Sequence, residues 1–200
     1  PIWDKVPCVE LLVICRHGEG GESSFKNQID YEDFIKGQPT CFEWPEIDEN
    51  SPMGLCYTSG TTGKPKGVMY THRSTYLHTM AGCLTDALGL TALDSLLGIV
   101  PMFHAMGWGM PFAATMVGCK QVMPHRFMVA EKLLDLIAGE DVTISAGVPT
   151  IWQGVRAAFC AAPQRWDLSN LQRLTCGGSA PPLEMLRWYW DTLGIEMIQG

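Results

Sequence analysis

The sequence predicts an α/β fold built on largely parallel strands, and three observations lead there. After Thr71, short apolar runs alternate with longer segments whose apolar residues recur at helical spacing. That is the pattern of strands joined by crossover helices. The short runs, such as Leu96 to Pro101 and Val142 to Ala146, are aliphatic or β-branched with little polar alternation, as expected of strands covered on both faces. Of the 200 residues, 46% are apolar and only 18% charged, enough to fill a core on each side of a sheet.

Taken in order, Val9 to Cys15 predicts a short buried strand, and the Gly- and Ser-rich stretch Arg16 to Phe25 a surface loop. Tyr31 to Ile35 predicts a short helix. Gly37 to Pro52 holds three prolines and four acids and is expected to be irregular. Met53 to Tyr57 predicts a strand, Thr58 to Gly67 a loop, and Val68 to Tyr70 a further strand. Thr71 is suited to cap a helix running to about Leu88. Strands follow at 96–101, 120–123, 142–146, 171–176 and 195–198. Helices are expected at 108–117, 130–137, 149–160, where Pro149 suits the first turn, and 182–193.

Composition narrows the function classes. The net charge of −7 lacks the basic footprint that nucleic acid requires. No apolar run reaches the 18 residues of a membrane-spanning helix, so no transmembrane segment is expected. The eight cysteines form no C-x-x-C pair and mostly lie in apolar stretches. They are therefore expected to be buried free thiols of a reduced, cytoplasmic protein rather than a disulfide framework. The chain opens at Pro1 and ends directly after a strand-like run, so it is expected to be an internal piece of a longer domain.

The segment Thr58 to Gly67 carries the strongest chemical signal. It holds three glycines, three threonines, one serine and two lysines, with no apolar side chain, between two apolar runs. Glycines allow successive amide groups to turn toward an anion. The hydroxyls of Thr58, Ser59, Thr61 and Thr62 add donors, and Lys64 and Lys66 add positive charge. A polyphosphate fits such a loop. A flexible linker is the plainer reading of the composition, but the flanking strands weigh against it. Three better-known motifs fail on spacing. A Walker loop needs four residues between its glycines, and here two separate Gly60 from Gly63. A dinucleotide-binding G-x-G-x-x-G is absent. Gly177-Gly178-Ser179-Ala180-Pro181 ends in Pro where a nucleophile elbow needs Gly.

The string Tyr57-Thr58-Ser59-Gly60-Thr61-Thr62-Gly63-Lys64-Pro65-Lys66-Gly67-Val68 resembles the AMP-binding signature of the adenylate-forming superfamily, which includes acyl-CoA synthetases, firefly luciferases and nonribosomal adenylation domains. Pro101-Met102-Phe103-His104 resembles the family's aromatic motif at the acyl pocket, and Gly147-Val148-Pro149-Thr150 its next turn. Residues 177–181 resemble the adenine-side loop. Gln199-Gly200 is similar to the opening of the family's Q-G-Y-G-x-T-E motif. The resemblance covers roughly Met53 to Gly200, and Phe103 to Trp108 most resembles fatty acyl-CoA synthetases.

The resemblance implies a fragment of an acyl-CoA synthetase N-terminal domain, with the C-terminal domain absent. It places a phosphate loop at 58–67, an acyl-pocket segment at 101–118 and an adenine-side loop at 177–181. It implies an acid–CoA ligase that uses ATP and Mg²⁺ to convert a carboxylic acid, a medium- or long-chain fatty acid, to an acyl-adenylate, and coenzyme A to form the thioester. By the same resemblance Thr58, Ser59, Gly60, Thr61, Thr62, Gly63 and Lys64 bind phosphates. Thr58 lies near the metal, and Lys66 pins the loop to neighbouring carbonyls. Gly178, Ser179, Ala180, Gln199 and Gly200 line the adenylate, while His104, Ala105 and Trp108 face the acyl group, with Trp108 as its gate. The catalytic lysine is expected beyond Gly200, which leaves the fragment inactive alone. The expected setting is cytoplasmic, at most peripheral to a membrane, with a homodimer allowed. A short thioether acid such as methylthiopropanoate is an alternative substrate. A carrier-protein adenylation domain, a phosphotransferase and a nucleotide-binding module without chemistry are alternative roles.

Overall fold

The computed structural model describes residues 2–16, 24–58, 64–125 and 128–200. It divides into two compact units, residues 1–46 and 47–200. In the first, β1 (Leu12–Ile14) pairs in parallel with β2 (Gln28–Asp30), and α1 (Tyr31–Ile35) follows directly. The strand expected over Val9 to Cys15 is thus three residues long and half-buried, with Leu11 exposed. The loop expected from Arg16 to Phe25 falls largely outside the described residues.

The second unit opens with a hairpin. β3 (Pro52–Thr58) and β4 (Lys66–Thr71) pair antiparallel, with Thr58 opposite Lys66 and seven residues of chain between the strands. A connection of that length is too short for a parallel crossover; the parallel arrangement is the expectation for the strands after Thr71. β4 runs straight into α2 (His72–Cys83) through a reciprocal cap. The Ser74 N–H donates to Thr71 Oγ1 and the Thr71 N–H to Ser74 Oγ, both at 3.0 Å. The helix ends at Cys83, five residues before the expected Leu88, where Leu84 leaves helical geometry and a turn closes from the Gly89 N–H to the Leu84 carbonyl.

The main body is a five-stranded parallel sheet in the order β6-β5-β7-β8-β9. Its strands are β5 (Ser95–Gly98), β6 (Lys120–Val122), β7 (Ile144–Gly147), β8 (Arg173–Cys176) and β9 (Glu196–Gln199). Four crossovers join them through α4 (Met110–Val117), α5 (Ala130–Gly139), α6 (Pro149–Ala161) and α7 (Leu183–Leu193). Adjacent strand residues point to opposite faces, and the core divides accordingly. Leu97, Leu174 and Cys176 pack with Leu133, Trp152, Met185 and Tyr189 from α5, α6 and α7. Leu96, Ile144 and Ala146 pack on the other face with Met110, Ala113 and Ala114 of α4.

The helix expected from Trp108 begins two residues later, at Met110. Residues 105–108 form a separate turn, α3 (Ala105–Trp108), whose backbone is left-handed. α4 buries Met110, Ala113 and Ala114 on one side and exposes Met116. The eight cysteines are free thiols, but only Cys56, Cys119 and Cys176 are buried. Cys8, Cys15, Cys41 and Cys160 are exposed, contrary to the expectation that most lie inside. Among the described residues no helix is long and apolar enough to cross a membrane.

At the amino-terminal end of the sheet, Asp94 gathers several donors. Thr143 Oγ1 donates at 2.7 Å, the Thr91 N–H at 2.8 Å and Arg173 Nη2 at 2.6 Å. Burial alone would push the Asp94 carboxyl up, but these hydrogen bonds and the Arg173 charge together hold it below the ordinary carboxylate range.

Candidate active site

The chain passes from β5 to β6 on one side of the sheet and returns to β7 on the other. Such a reversal opens a crevice beyond the carboxyl ends of the strands, where ligands of open α/β sheets bind. A cavity of about 500 Å³ lies there, lined by Gly98 of β5 and Pro101 after it, by Met123, Pro124 and His125 after β6, and by Ala146 of β7. Met102, Met110 and Met128 complete a wall that is almost entirely apolar. Unbranched thioether side chains adapt to varied apolar shapes. Of segment 101–118, Pro101, Met102, Gly107, Met110 and Pro111 line this cavity, while His104, Ala105 and Trp108 are not among its lining residues.

Those three residues belong to an unusual stretch of backbone. Ala105, Met106, Gly107, Trp108 and Gly109 all have positive φ, between 45° and 71°. The left-handed form costs roughly 1–2 kcal/mol for each residue with a side chain, and three of these five carry one. Two anchors hold the turn from outside. Met106 packs against β3: its Sδ lies 3.5 Å from Cys56 Sγ, and a Cβ on Gly54 would sit 2.6 Å from its terminal methyl carbon. On the other side, His78 Nε2 of α2 lies 3.2 Å from the Trp108 carbonyl oxygen. A carbonyl only accepts, so this nitrogen carries the proton.

The turn delivers the Trp108 indole to the ends of β8 and β9. A Cβ on Gly177 would lie 2.9 Å from Trp108 Cη2 and 3.1 Å from the Gly200 carbonyl oxygen. Only a glycine fits between them. The Gly177 N–H donates to the Gly147 carbonyl and the Gly200 N–H to the Cys176 carbonyl, which fastens the ends of β7, β8 and β9 side by side. Gly178 then turns with φ of 79°, and Gly178, Ser179, Ala180, Gln199 and Gly200 are exposed at this rim. Beneath them Trp152 Nε1 donates to the Thr175 carbonyl, and its ring packs on Gly147.

Thr58 and Lys64 are exposed at the mouth of the hairpin, and Thr58 Oγ1 faces the Lys66 carbonyl at 3.5 Å. Ser59, Gly60, Thr61, Thr62 and Gly63 lie outside the described residues. The hairpin reaches the left-handed turn through Cys56 and Met106, and the turn reaches the glycine rim through Trp108. Three segments far apart in sequence thus join around one end of the sheet. The residues this geometry adds are His78, Met106 and the cavity methionines. Met102 and Met106 fall inside the stretch 101–108 that resembles the family's motifs, but no motif marks His78, Met110, Met123 or Met128. Only the recurrence of Met at 102, 106, 110, 123 and 128 hints at a soft-walled pocket.

A family model described as AMP-binding enzyme matches residues 6–200. The medium-chain-fatty-acid–CoA ligase of Ectopseudomonas oleovorans is 43% identical over 200 residues, all of this chain and 36% of that protein. The 3-methylmercaptopropionyl-CoA ligase of Ruegeria lacuscaerulensis is 44% identical over 172 residues, 85% of this chain and 31% of that protein. Among solved structures, the anthranilate CoA ligase AuaEII in complex with anthranoyl-AMP superimposes with a TM-score of 0.80 at 25% identity. That match covers 100% of this chain and 36% of AuaEII. The chain thus spans about a third of the length of the relatives it matches.

Proposed function

This chain belongs to the AMP-binding enzymes, and from that membership we propose that the whole protein is an acid–CoA ligase acting on medium- or long-chain fatty acids. The observation that carries the substrate class is the methionine-walled cavity of about 500 Å³ at the strand reversal, which suits an alkyl tail and offers almost no polar partner to a hydrophilic one. In this reading residues 1–200 lie within one AMP-binding domain of the enzyme, and a C-terminal domain completes it.

The residues present suit an adenylate. At the rim Gly177 is filled in by the Trp108 indole, but Gly178 is exposed and turns with positive φ, so a flat base can lie against the backbone there. Gly178, Ser179, Ala180, Gln199 and Gly200 would hold the adenylate there. Thr58, Lys64 and the intervening residues 59–63 would hold the β- and γ-phosphates of ATP. Their amides and the Lys64 ammonium offset charge that develops as pyrophosphate leaves. Thr58 is the candidate neighbour of Mg²⁺, which would neutralise phosphate charge. The carboxylate attacks the α-phosphorus to form the acyl-adenylate, and the thiol of coenzyme A then displaces AMP. Trp108, with His104 and Ala105 beside it, stands between this rim and the acyl cavity and would gate it.

A thioether acid is the second reading, favoured by the similarity to the Ruegeria enzyme. A chain-length profile separates the two. Met123 lines the cavity and is exposed enough to enlarge without disturbing the core. Met123→Trp in the full-length protein is expected to move the preferred fatty acid several carbons shorter. A protein that makes thioesters only from short thioether acids, or a profile unmoved by Met123→Trp, would reject the fatty-acid assignment.

A further inference from the structure

We infer that His78 is a positioning residue for the acid substrate, acting through the backbone of Trp108; the inference rests on the ligase reading above. Trp108 has its indole against Gly177 only because its own backbone, and that of its neighbours, is left-handed. A turn of that hand does not persist unless its surroundings hold it. Within the turn, the Gly107 N–H bonds to the His104 carbonyl and the Gly109 N–H to the Met106 carbonyl. The Trp108 carbonyl bonds outward instead, to His78 Nε2 at 3.2 Å.

The Cδ2–Nε2 edge of the imidazole also abuts the next residue. A Cβ on Gly109 would sit 2.5 Å from His78 Cδ2 and 2.6 Å from Nε2. His78 therefore fixes both sides of the peptide between Trp108 and Gly109: the carbonyl by a hydrogen bond, the α-carbon by contact. Rotation of that peptide is the simplest way for the turn to relax. It would carry the indole off Gly177 and change the passage between the adenylate rim and the acyl cavity. The adenine-side rim is fastened independently, by the Gly147 and Cys176 carbonyls. Loss of the His78 bond should thus impair the acid and spare ATP.

The test uses the full-length protein with His78→Leu, which keeps bulk but not the donor, and His78→Gln, whose amide nitrogen can reach the same carbonyl. Expected for His78→Leu is a loss of about tenfold in kcat/KM for the acid with the KM for ATP unchanged, and for His78→Gln a value within about twofold of wild type. In a Trp108→Ala background, His78→Leu should have no further effect, because the two act as one unit. If His78→Leu does not fold, His78→Asn, one bond too short to reach, is expected to give the same acid-only loss. Four results would overturn the inference: wild-type acid kinetics in His78→Leu, equal losses for acid and ATP, a His78→Gln as impaired as His78→Leu, or full additivity with Trp108→Ala. A wild-type protein that adenylates no acid would remove the ligase reading itself. An active wild type with an indifferent His78→Leu would remove only the role of His78.

Discussion

Gly177 is where the ends of β8 and β9 and the Trp108 turn meet, and it tolerates no side chain. A methyl group there would press on both the indole and the Gly200 carbonyl, 2.9 and 3.1 Å away. Backbone cannot yield as a flexible side chain can, so Gly177→Ala should displace Trp108. In acid-dependent adenylation assays the expected loss is at least tenfold, with the melting temperature little changed. Ala105 makes the opposite case. Its φ of 45° strains a half-buried residue with a single methyl side chain, so Ala105→Gly should raise stability by about 1 kcal/mol in denaturant titration. The glycines of residues 177–178 were legible in the sequence as a site. The strain at Ala105, Met106 and Trp108 was not, because nothing in three ordinary side chains announces left-handed backbone. It is imposed by tertiary anchors, Cys56 and His78, that lie 50 and 30 residues from their partners.

At the scale of elements, the parallel strands and the helices after Thr71 follow from periodicity that the sequence displays openly. The Thr71 cap and the Pro149 start appear as expected. The misjudged elements are those whose limits are set by contacts. The first strand is short because its partner, β2, has only three paired residues. The cysteines lie in apolar runs, yet several face outward. The Asp94 cluster ties β5, β7 and β8 at their amino ends and is independent of the site. Its carboxyl is held low in the folded chain, so the stability it gives is present above the unfolded value near pH 4 and is lost as pH falls through the folded one. Asp94→Ala should cost about 3 kcal/mol at neutral pH, since it strands the Arg173 guanidinium. The difference from wild type should shrink below about pH 4 in pH-dependent denaturation, where both chains lack the charge.

At the scale of the molecule, the sheet fixes one end for chemistry and the other for stability. Strand ends β7, β8 and β9 carry the glycine rim, with the Trp108 indole against Gly177, and the reversal between β5 and β7 carries the apolar cavity. The hairpin brings Thr58 and Lys64 to the same unit through the contact between Cys56 and Met106. This arrangement is compatible with the ligase proposed above. The central claim is that the full-length protein adenylates an acid with Lys64 engaged on the phosphates. The most direct measurement is isotope exchange between pyrophosphate and ATP across a panel of carboxylic acids, with Lys64→Ala alongside. Exchange is expected only when acid is present, highest with fatty acids, and reduced at least tenfold by Lys64→Ala. Exchange absent with every acid in the folded full-length protein, or ATP turned over to ADP instead, would contradict the account.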